Sequence, residues 1–182
     1  MRLVWLAVIA VSFLPLSASS KEKSKAATIA TTLTHTSETF GDWAVERFND
    51  GTTIASTQNP SGSRLIIFCD KSCSVIFDLN IPCDVKGEFA ALINTPDRAF
   101  NVNLKCETYT HGTVISTELT QPILDSIDIG GQFGIAVPLK NGEFSVSRFS
   151  LTGAKVAVQR AFELSPARTS GTLKPVPGDI KL

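Results

Sequence analysis

Four cysteines are the residues of this 182-residue chain whose type and spacing could support chemistry. In "SRLIIFCDKSCSVIFDL" three residues separate Cys69 from Cys73, while Cys83 and Cys106 follow after nine and 22 further residues. A zinc framework usually has closely paired cysteines at both ends of the site. A redox pair usually has two intervening residues at the start of a helix. Because neither pattern fits, the even cysteine count predicts two disulfides and no metal site.

The strands on either side favour a Cys69–Cys73 disulfide. A three-residue loop between the two cysteines aligns the flanking runs, with the opposed pairs Ile67–Val75 and Leu65–Phe77. Strand side chains alternate with a period of two, so all of these residues share one face. Directly opposed residues also lie at a separation that suits a disulfide. The hydrophobic pattern and the bridge therefore require the same hairpin register.

The remaining pair, Cys83 and Cys106, flanks a second predicted hairpin. The segment "RAFNVNLKC" alternates apolar and polar residues, and "EFAALIN" precedes it across the turn Asn94–Asp97. A disulfide here closes a loop of 24 residues, which the chain-entropy model values at about 3 kcal/mol. We therefore predict the pairings 69–73 and 83–106.

Residues that could serve a hydrolase are sparse. His111 in "CETYTHGTV" is followed by Gly112, which favours an exposed turn over a catalytic base. Asp125 and Asp128 in "ILDSIDIGG" resemble an acid and base pair, but the segment is more simply a polar connection anchored by Ile127 and Ile129. We predict no catalytic residue and no cofactor, so no enzyme. A hydrolase that uses His111 stays open as an alternative.

The N-terminus has the order of a secretory signal peptide. Arg2 precedes the apolar run "LVWLAVIAVSFLPL", and small residues follow it. That run of 14 residues is shorter than the ~20 needed to span a bilayer. We predict a signal peptide at 1–20, a flexible leader at 21–38, a domain at 39–165 and a flexible tail at 166–182. The expected location is periplasmic or secreted, without stable membrane insertion after cleavage.

The rest of the domain is predicted to be β-rich. Asn141-Gly142 divides two apolar alternations, which indicates a two-residue hairpin turn with Leu139 opposite Phe144. In "TGAKVAVQRAFEL" the period changes to that of an amphipathic helix with Thr152 as its N-cap. The predicted fold is an antiparallel β-sandwich-like or partly open barrel domain with one C-terminal helix.

Charge and aromatic content indicate the class of partner. The chain has 17 basic and 17 acidic residues, so it offers no basic surface for nucleic acid. Trp43, the only tryptophan after the signal segment, is predicted to be a core residue of the first strand. The alternative is that Trp43 anchors a partner interface.

The segments "FGDWAVE" and "VPLKNGEFSVSRFSLTGAKVAV", with several disulfide-linked hairpins between them, resemble the invasion-associated locus B family. The resemblance spans residues 40–162, and Val45-Glu46-Arg47 stands where that family often has a cysteine. It implies an extracytoplasmic β-rich protein of bacteria, linked to host-cell colonisation and without known enzymatic activity. It provides no catalytic residue to assign.

The combined hypothesis is an exported, non-enzymatic protein that binds an envelope or host protein. Exposed turn residues are the predicted contacts, namely Pro96, Asp97 and Arg98 of "NTPDR" and Asn141 and Gly142 of "KNGE". A second hypothesis is a periplasmic inhibitor or immunity protein that inserts one of these loops into a cell-wall-degrading enzyme.

Overall fold

Ten strands form one antiparallel sheet in the described part of the chain. The structure is a computed structural model that describes residues 35–83, 87–109 and 112–166. The predicted signal peptide, most of the leader, His111 and the tail from residue 167 lie outside these ranges. The first strand begins at Thr36, inside the segment that we assigned to the leader.

Most strands lie beside their neighbours in sequence, but three consecutive strands in the middle of the sheet lie in reverse order. The elements are β1 Thr36–Phe40, β2 Trp43–Arg47, β3 Thr53–Gln58, β4 Arg64–Cys69, β5 Cys73–Asp78, β6 Glu88–Asn94, β7 Ala99–Tyr109, β8 Gly112–Glu118, α1 Gln121–Ile129, β9 Gln132–Pro138, β10 Phe144–Ser150 and α2 Ala154–Leu164. The order of the strands in the sheet is β1-β2-β3-β4-β5-β8-β7-β6-β9-β10. Helix α1 joins β8 to β9, and helix α2 follows β10.

Both predicted disulfides are confirmed. Cys69 and Cys73 are directly opposed at the end of the β4–β5 hairpin, in the predicted register with Ile67 opposite Val75. The second disulfide joins Cys83 to Cys106, so it ties the segment before β6 to strand β7. The prediction of a mainly antiparallel β domain with two disulfides and a C-terminal helix is likewise confirmed.

The predicted register of the β9–β10 hairpin is wrong by one residue. Phe144 lies opposite Pro138, not opposite Leu139. Leu139 instead pairs with Glu143, whose backbone carbonyl accepts a hydrogen bond from the Leu139 N–H at 2.8 Å. The loop therefore has three residues, and Gly142 ends it at φ +83°. This is the turn in which a left-handed residue forms a bulge.

The helices differ from expectation in two ways. Helix α2 buries the apolar side of the predicted helix through Ala154, Val158 and neighbouring alanines. Its N-cap is Gly153 in the left-handed conformation, so the prediction of a Thr152 N-cap is wrong. Helix α1 was not predicted, because "ILDSIDIGG" was interpreted as a polar connection. It buries Ile127, whereas the expected anchor Ile129 stays 49% exposed.

The sheet curves so that its two ends approach each other without forming a ladder. Trp43 is fully buried, and its Nε1 donates a hydrogen bond to the carbonyl oxygen of Ser150 at 2.8 Å. The Asn59 Nδ2 donates to the Arg148 carbonyl at 3.3 Å. These side-chain bonds connect β10 to the β2–β3 end, so the sheet stays open. Trp43 is thus a core residue in this structure, and its alternative role as a partner anchor stays a prediction.

Candidate functional site

Three large apolar side chains are exposed on one end of the sheet. Leu92 on β6 is 41% exposed, Phe144 on β10 is 64% exposed and Val146 on β10 is 55% exposed. Leu92 pairs with Ala136 of β9, and Ala136 in turn pairs with Val146. These side chains therefore share the solvent-facing surface of three adjacent strands, which we call the β6–β9–β10 face.

A groove adjoins these apolar side chains on the same face. Its volume is about 290 Å³. Strands β6, β9 and β10 and the turn after β6 supply its lining, which consists of Leu92, Asn94, Thr95, Pro96, Gln132, Gly134, Ile135, Ala136, Val146 and Arg148. Apolar contact surface combined with a few polar groups is typical of binding sites.

Gly134 helps to create this groove. It sits between Asn94 of β6 and Arg148 of β10 in the ladder. A Cβ atom built on Gly134 would lie 3.3 Å from the backbone oxygen of Asn94 and 3.9 Å from Cγ of Arg148. A side chain here would fill space between the neighbouring strands, so the missing side chain keeps the groove open.

The register of the β9–β10 hairpin decides which residues reach this face. Because strand side chains alternate, a shift of one residue exchanges the two faces. In the observed register Phe149 and Ser147 are buried, while Phe144 and Val146 face solvent. The exposed apolar surface therefore follows from the three-residue turn.

Arg148 provides the cationic group of the groove. Its backbone carbonyl is held by Asn59, and its side chain lines the groove. Within residues 35–83, 87–109 and 112–166, no carboxylate lies at ion-pair distance from Arg148. The groove therefore combines apolar surface with an uncompensated positive charge, which suits a partner that carries an acidic group.

The turn after β6 is held by its own side chains. The hydroxyl of Thr95 donates to Asp97 Oδ1 at 2.8 Å, and Arg98 Nε donates to Asp97 Oδ2 at 2.7 Å. The hydrogen bond from Arg98 is the main cause that lowers the pKa of Asp97. Arg98 also approaches Asp125 of α1 at 3.7 Å. Asp97 and Arg98 thus compensate each other, and among the predicted contacts of this turn only Pro96 lines the groove.

The other predicted contacts lie at the β9–β10 turn. Asn141 Nδ2 donates to Glu143 Oε2 at 2.6 Å, and the Glu143 backbone N–H donates to Asn141 Oδ1 at 3.1 Å. A Cβ atom built on Gly142 would meet no other atom of the described residues within 4 Å. Asn141 therefore shapes the turn, and the structure does not bring it or Gly142 into the groove lining.

The described residues were also compared with the requirements of a metal site, a membrane-spanning helix and a pair of catalytic carboxylates. The ranges 35–83, 87–109 and 112–166 hold no cluster of three or more His, Cys, Asp or Glu side chains that could bind a metal. In the same part of the chain, no helix is long and apolar enough to cross a membrane. Asp125 and Asp128 are engaged separately, with Gln121 and Arg98 for the first and Lys155 for the second.

One solved structure supports the fold. The chain is similar to invasion associated protein B from Bartonella henselae, with a TM-score of 0.55 over 71% of this chain and 97% of that one. The sequence identity is 12%, so the likeness concerns the fold. No protein-family model matches the sequence. No curated protein matches it either.

Leu92, Val146 and Arg148 were not predicted from the sequence as site residues. Their alternation with buried neighbours was visible, but the face that each set would occupy depended on the turn geometry. The missing signal was the three-residue loop around Asn141. Among the residues that line the groove, only Pro96 was predicted as a partner contact, because proline in a turn between two strands is expected to be exposed.

Proposed function

We propose that this chain is an exported, non-enzymatic binding protein that contacts an envelope or host protein through the β6–β9–β10 face. The observation that carries the proposal is the exposure of Leu92, Phe144 and Val146 beside one groove. Contiguous exposed apolar side chains with a polar surround are characteristic of interaction surfaces. A polar and charged rim formed by Asn94 and Arg148 adds specificity.

Three features support export and the class of function. Both disulfides are formed, and disulfides persist in oxidising compartments outside the cytosol. The N-terminal sequence has the pattern of a signal peptide. The fold resembles a bacterial protein whose name associates it with invasion. A role in host colonisation or envelope function is therefore the biological setting that we propose.

Site-specific photocrosslinking tests this function. A photoreactive amino acid replaces Leu92 on the β6–β9–β10 face or, as a matched control, Val156 on α2, which is 54% exposed. Both proteins are produced in the bacterium that carries the gene, with and without host cells. We expect adducts to a different protein from position 92 and none from position 156.

Two results would contradict the proposal. One is an absence of adducts at position 92 in both settings. The other is equal adduct formation at positions 92 and 156, which would indicate non-specific contact. Export is measured in the same cultures by N-terminal sequencing of the protein in the extracytoplasmic fraction, and we expect a sequence that starts after residue 20. Protein retained with an intact Met1 would contradict export.

A further inference from the structure

Half of strand β10 has backbone groups that no neighbouring strand uses. The carbonyl oxygen of Arg148 points away from β9, because it accepts a hydrogen bond from Asn59 of the β3–β4 loop. Backbone groups alternate in direction along a strand, so the N–H and C=O groups of Phe144 and Val146 point to the same edge. Within the described ranges, no strand or side chain pairs with these groups. We call Phe144–Val146 the open half of β10.

The open half differs from the other edge of the sheet. Strand β1 carries Glu38, which forms an ion pair with Arg160 of α2. Charged side chains on an edge strand discourage pairing with another chain. Phe144 and Val146 are instead apolar, and each is more than half exposed. An apolar edge with unpaired backbone groups is a template for the addition of an extended segment.

The side chains beside the open half define the chemistry of such a segment. Phe144, Val146 and Arg148 occupy alternate positions of β10, so they share the solvent-facing side and follow one another at about 7 Å. Across β9, Leu92 lies in the row of Val146 and Asn94 lies in the row of Arg148. The β6–β9–β10 face therefore has an apolar row next to a polar row that carries a positive charge.

The charge of Arg148 is not balanced on this face. No aspartate or glutamate is among the described residues that line the groove. Within residues 35–83, 87–109 and 112–166, no carboxylate lies at ion-pair distance from Arg148. A carboxylate that a partner brings to this row therefore meets an unpaired guanidinium and no competing acid. Such complementarity of charge favours an acidic partner segment.

A second copy of β10 does not supply this carboxylate. When two copies pair through their outward backbone groups, even-numbered residues of one chain lie opposite even-numbered residues of the other. Glu143 precedes β10 at an odd-numbered position, so it does not lie opposite Arg148 in any such register. The unpaired charge therefore favours a segment from a different protein.

We propose that the partner supplies an extended segment with the pattern acidic–any–apolar–any–apolar, which adds to the open half of β10 as an antiparallel strand. The acidic side chain lies opposite Arg148, and the two apolar side chains lie opposite Val146 and Phe144. The spacing fits, because alternate residues of an extended segment are also about 7 Å apart. Opposed unlike charges and opposed apolar side chains stabilise paired strands. This inference rests on the proposed function, since it names the contact segment of that partner.

Fluorescence anisotropy with a synthetic peptide tests the backbone pairing. The protein is the exported chain with both disulfides intact. The peptide is capped, carries a fluorophore and has glutamate, threonine, valine, threonine and valine at its centre. One derivative is N-methylated on the first valine, whose N–H is expected to bond to Val146. The matched control is N-methylated on the threonine before this valine, whose N–H is expected to point away from β10.

The two derivatives should differ in affinity. We expect N-methylation of the first valine to raise Kd at least about tenfold, since a lost hydrogen bond and a steric clash combine. N-methylation of the threonine should leave Kd unchanged.

Charge exchange tests the acidic position. Arg148→Glu should raise the Kd of the glutamate peptide at least about threefold, because like charges directly opposed destabilise paired strands. A peptide with lysine in place of glutamate should bind Arg148→Glu more tightly than the wild-type chain. The matched control is Arg47→Glu on β2, an exposed arginine outside the groove lining, which should leave both Kd values unchanged.

Three outcomes would overturn strand addition at the open half. The first is an absence of binding of the glutamate peptide at millimolar concentration. The second is an equal loss of affinity in the two N-methylated derivatives. The third is an equal loss of affinity in Arg148→Glu and Arg47→Glu.

The photocrosslinking experiment separates this inference from the proposed function. Specific adducts at Leu92 without peptide binding would leave the proposed function standing and overturn strand addition. Peptide binding that responds to N-methylation and to Arg148→Glu, without adducts at Leu92, would support strand addition and contradict the proposed function.

Discussion

At the level of single residues, the surface charges are organised as local pairs. Arg160 of α2 donates hydrogen bonds to both carboxylate oxygens of Glu38, at 2.9 to 3.2 Å. This contact connects the last helix to the first strand of the sheet. The hydrogen bonds from Arg160 are the main cause that lowers the pKa of Glu38 below its ordinary value of 4.5.

This pairing predicts a pH-dependent contribution to stability. Because the pKa of Glu38 is lower in the folded than in the unfolded chain, its contribution is present above pH 4.5 and is lost as the pH falls through the folded pKa. Glu38→Gln should therefore lower the urea midpoint at neutral pH and have a vanishing effect in more acidic buffer. The control is Glu118→Gln, which removes an exposed carboxylate without an ion pair in the described residues. A Glu38→Gln effect that is constant with pH would contradict the assignment.

At the level of elements, the β4–β5 and β9–β10 hairpins show what the sequence could and could not predict. In β4–β5 the hydrophobic alternation and the Cys69–Cys73 bridge both require one register, and that register is observed. In β9–β10 the only guide was Asn141-Gly142, which fits turns of two or three residues. That ambiguity of one residue reverses the two faces, so the candidate site could not be predicted.

Helix α1 shows a second limit. It has nine residues, and its N-cap, Thr120, makes no side-chain capping bond. Its buried Ser126 satisfies its hydroxyl by donating to the Pro122 carbonyl at 2.8 Å. A short segment with a serine on its buried side has a weak helical pattern, and tertiary packing of Ile123 and Ile127 determines its conformation.

Replacement of two glycines by alanine should lower the free energy of unfolding by different amounts. Gly142 has φ +83° and open space around its Cβ position, so Gly142→Ala should cost about 1 kcal/mol of unfolding free energy through backbone conformation alone. Gly142→Asn should cost less, since asparagine tolerates this conformation. At Gly153 a Cβ would overlap with the backbone oxygen of Phe40, so Gly153→Ala should be more destabilising.

Urea unfolding followed by circular dichroism measures all three glycine variants. The expected order of stability is Gly142→Asn, then Gly142→Ala, then Gly153→Ala. Equal loss in both alanine variants would contradict the difference in close contacts at the two positions.

At the level of the whole molecule, the strand order could not be inferred from the sequence. Strand β5 pairs with β8, and β6 returns to pair with β9, so the β6–β7–β8 unit is inserted in reverse order. This strand order depends on how the hairpins pack around one core, and local sequence patterns do not specify that packing. The Cys83–Cys106 bridge lies at this reversal, because it links the segment between β5 and β6 to β7.

Removal of each disulfide should affect stability unequally. In the chain-entropy model a bridge of 24 residues is worth about 3 kcal/mol and one of five residues about 2 kcal/mol. We therefore expect the double variant Cys83→Ser with Cys106→Ser to lose more unfolding free energy than Cys69→Ser with Cys73→Ser. Guanidinium unfolding at equilibrium measures both values. A larger loss for the shorter loop would show that bridge strain or burial outweighs loop entropy.

The hydrogen bond from Trp43 to Ser150 makes the fluorescence of Trp43 a probe of the curvature of the sheet. An indole in apolar surroundings emits at shorter wavelengths than one in water, and Trp43 is the sole tryptophan of the described residues. Separation of the two sheet ends would expose the Trp43 indole to solvent while the hydrogen bonds between paired strands stayed in place. A red-shifted emission spectrum at unchanged far-ultraviolet ellipticity would therefore report the uncurling of the sheet, with no added label.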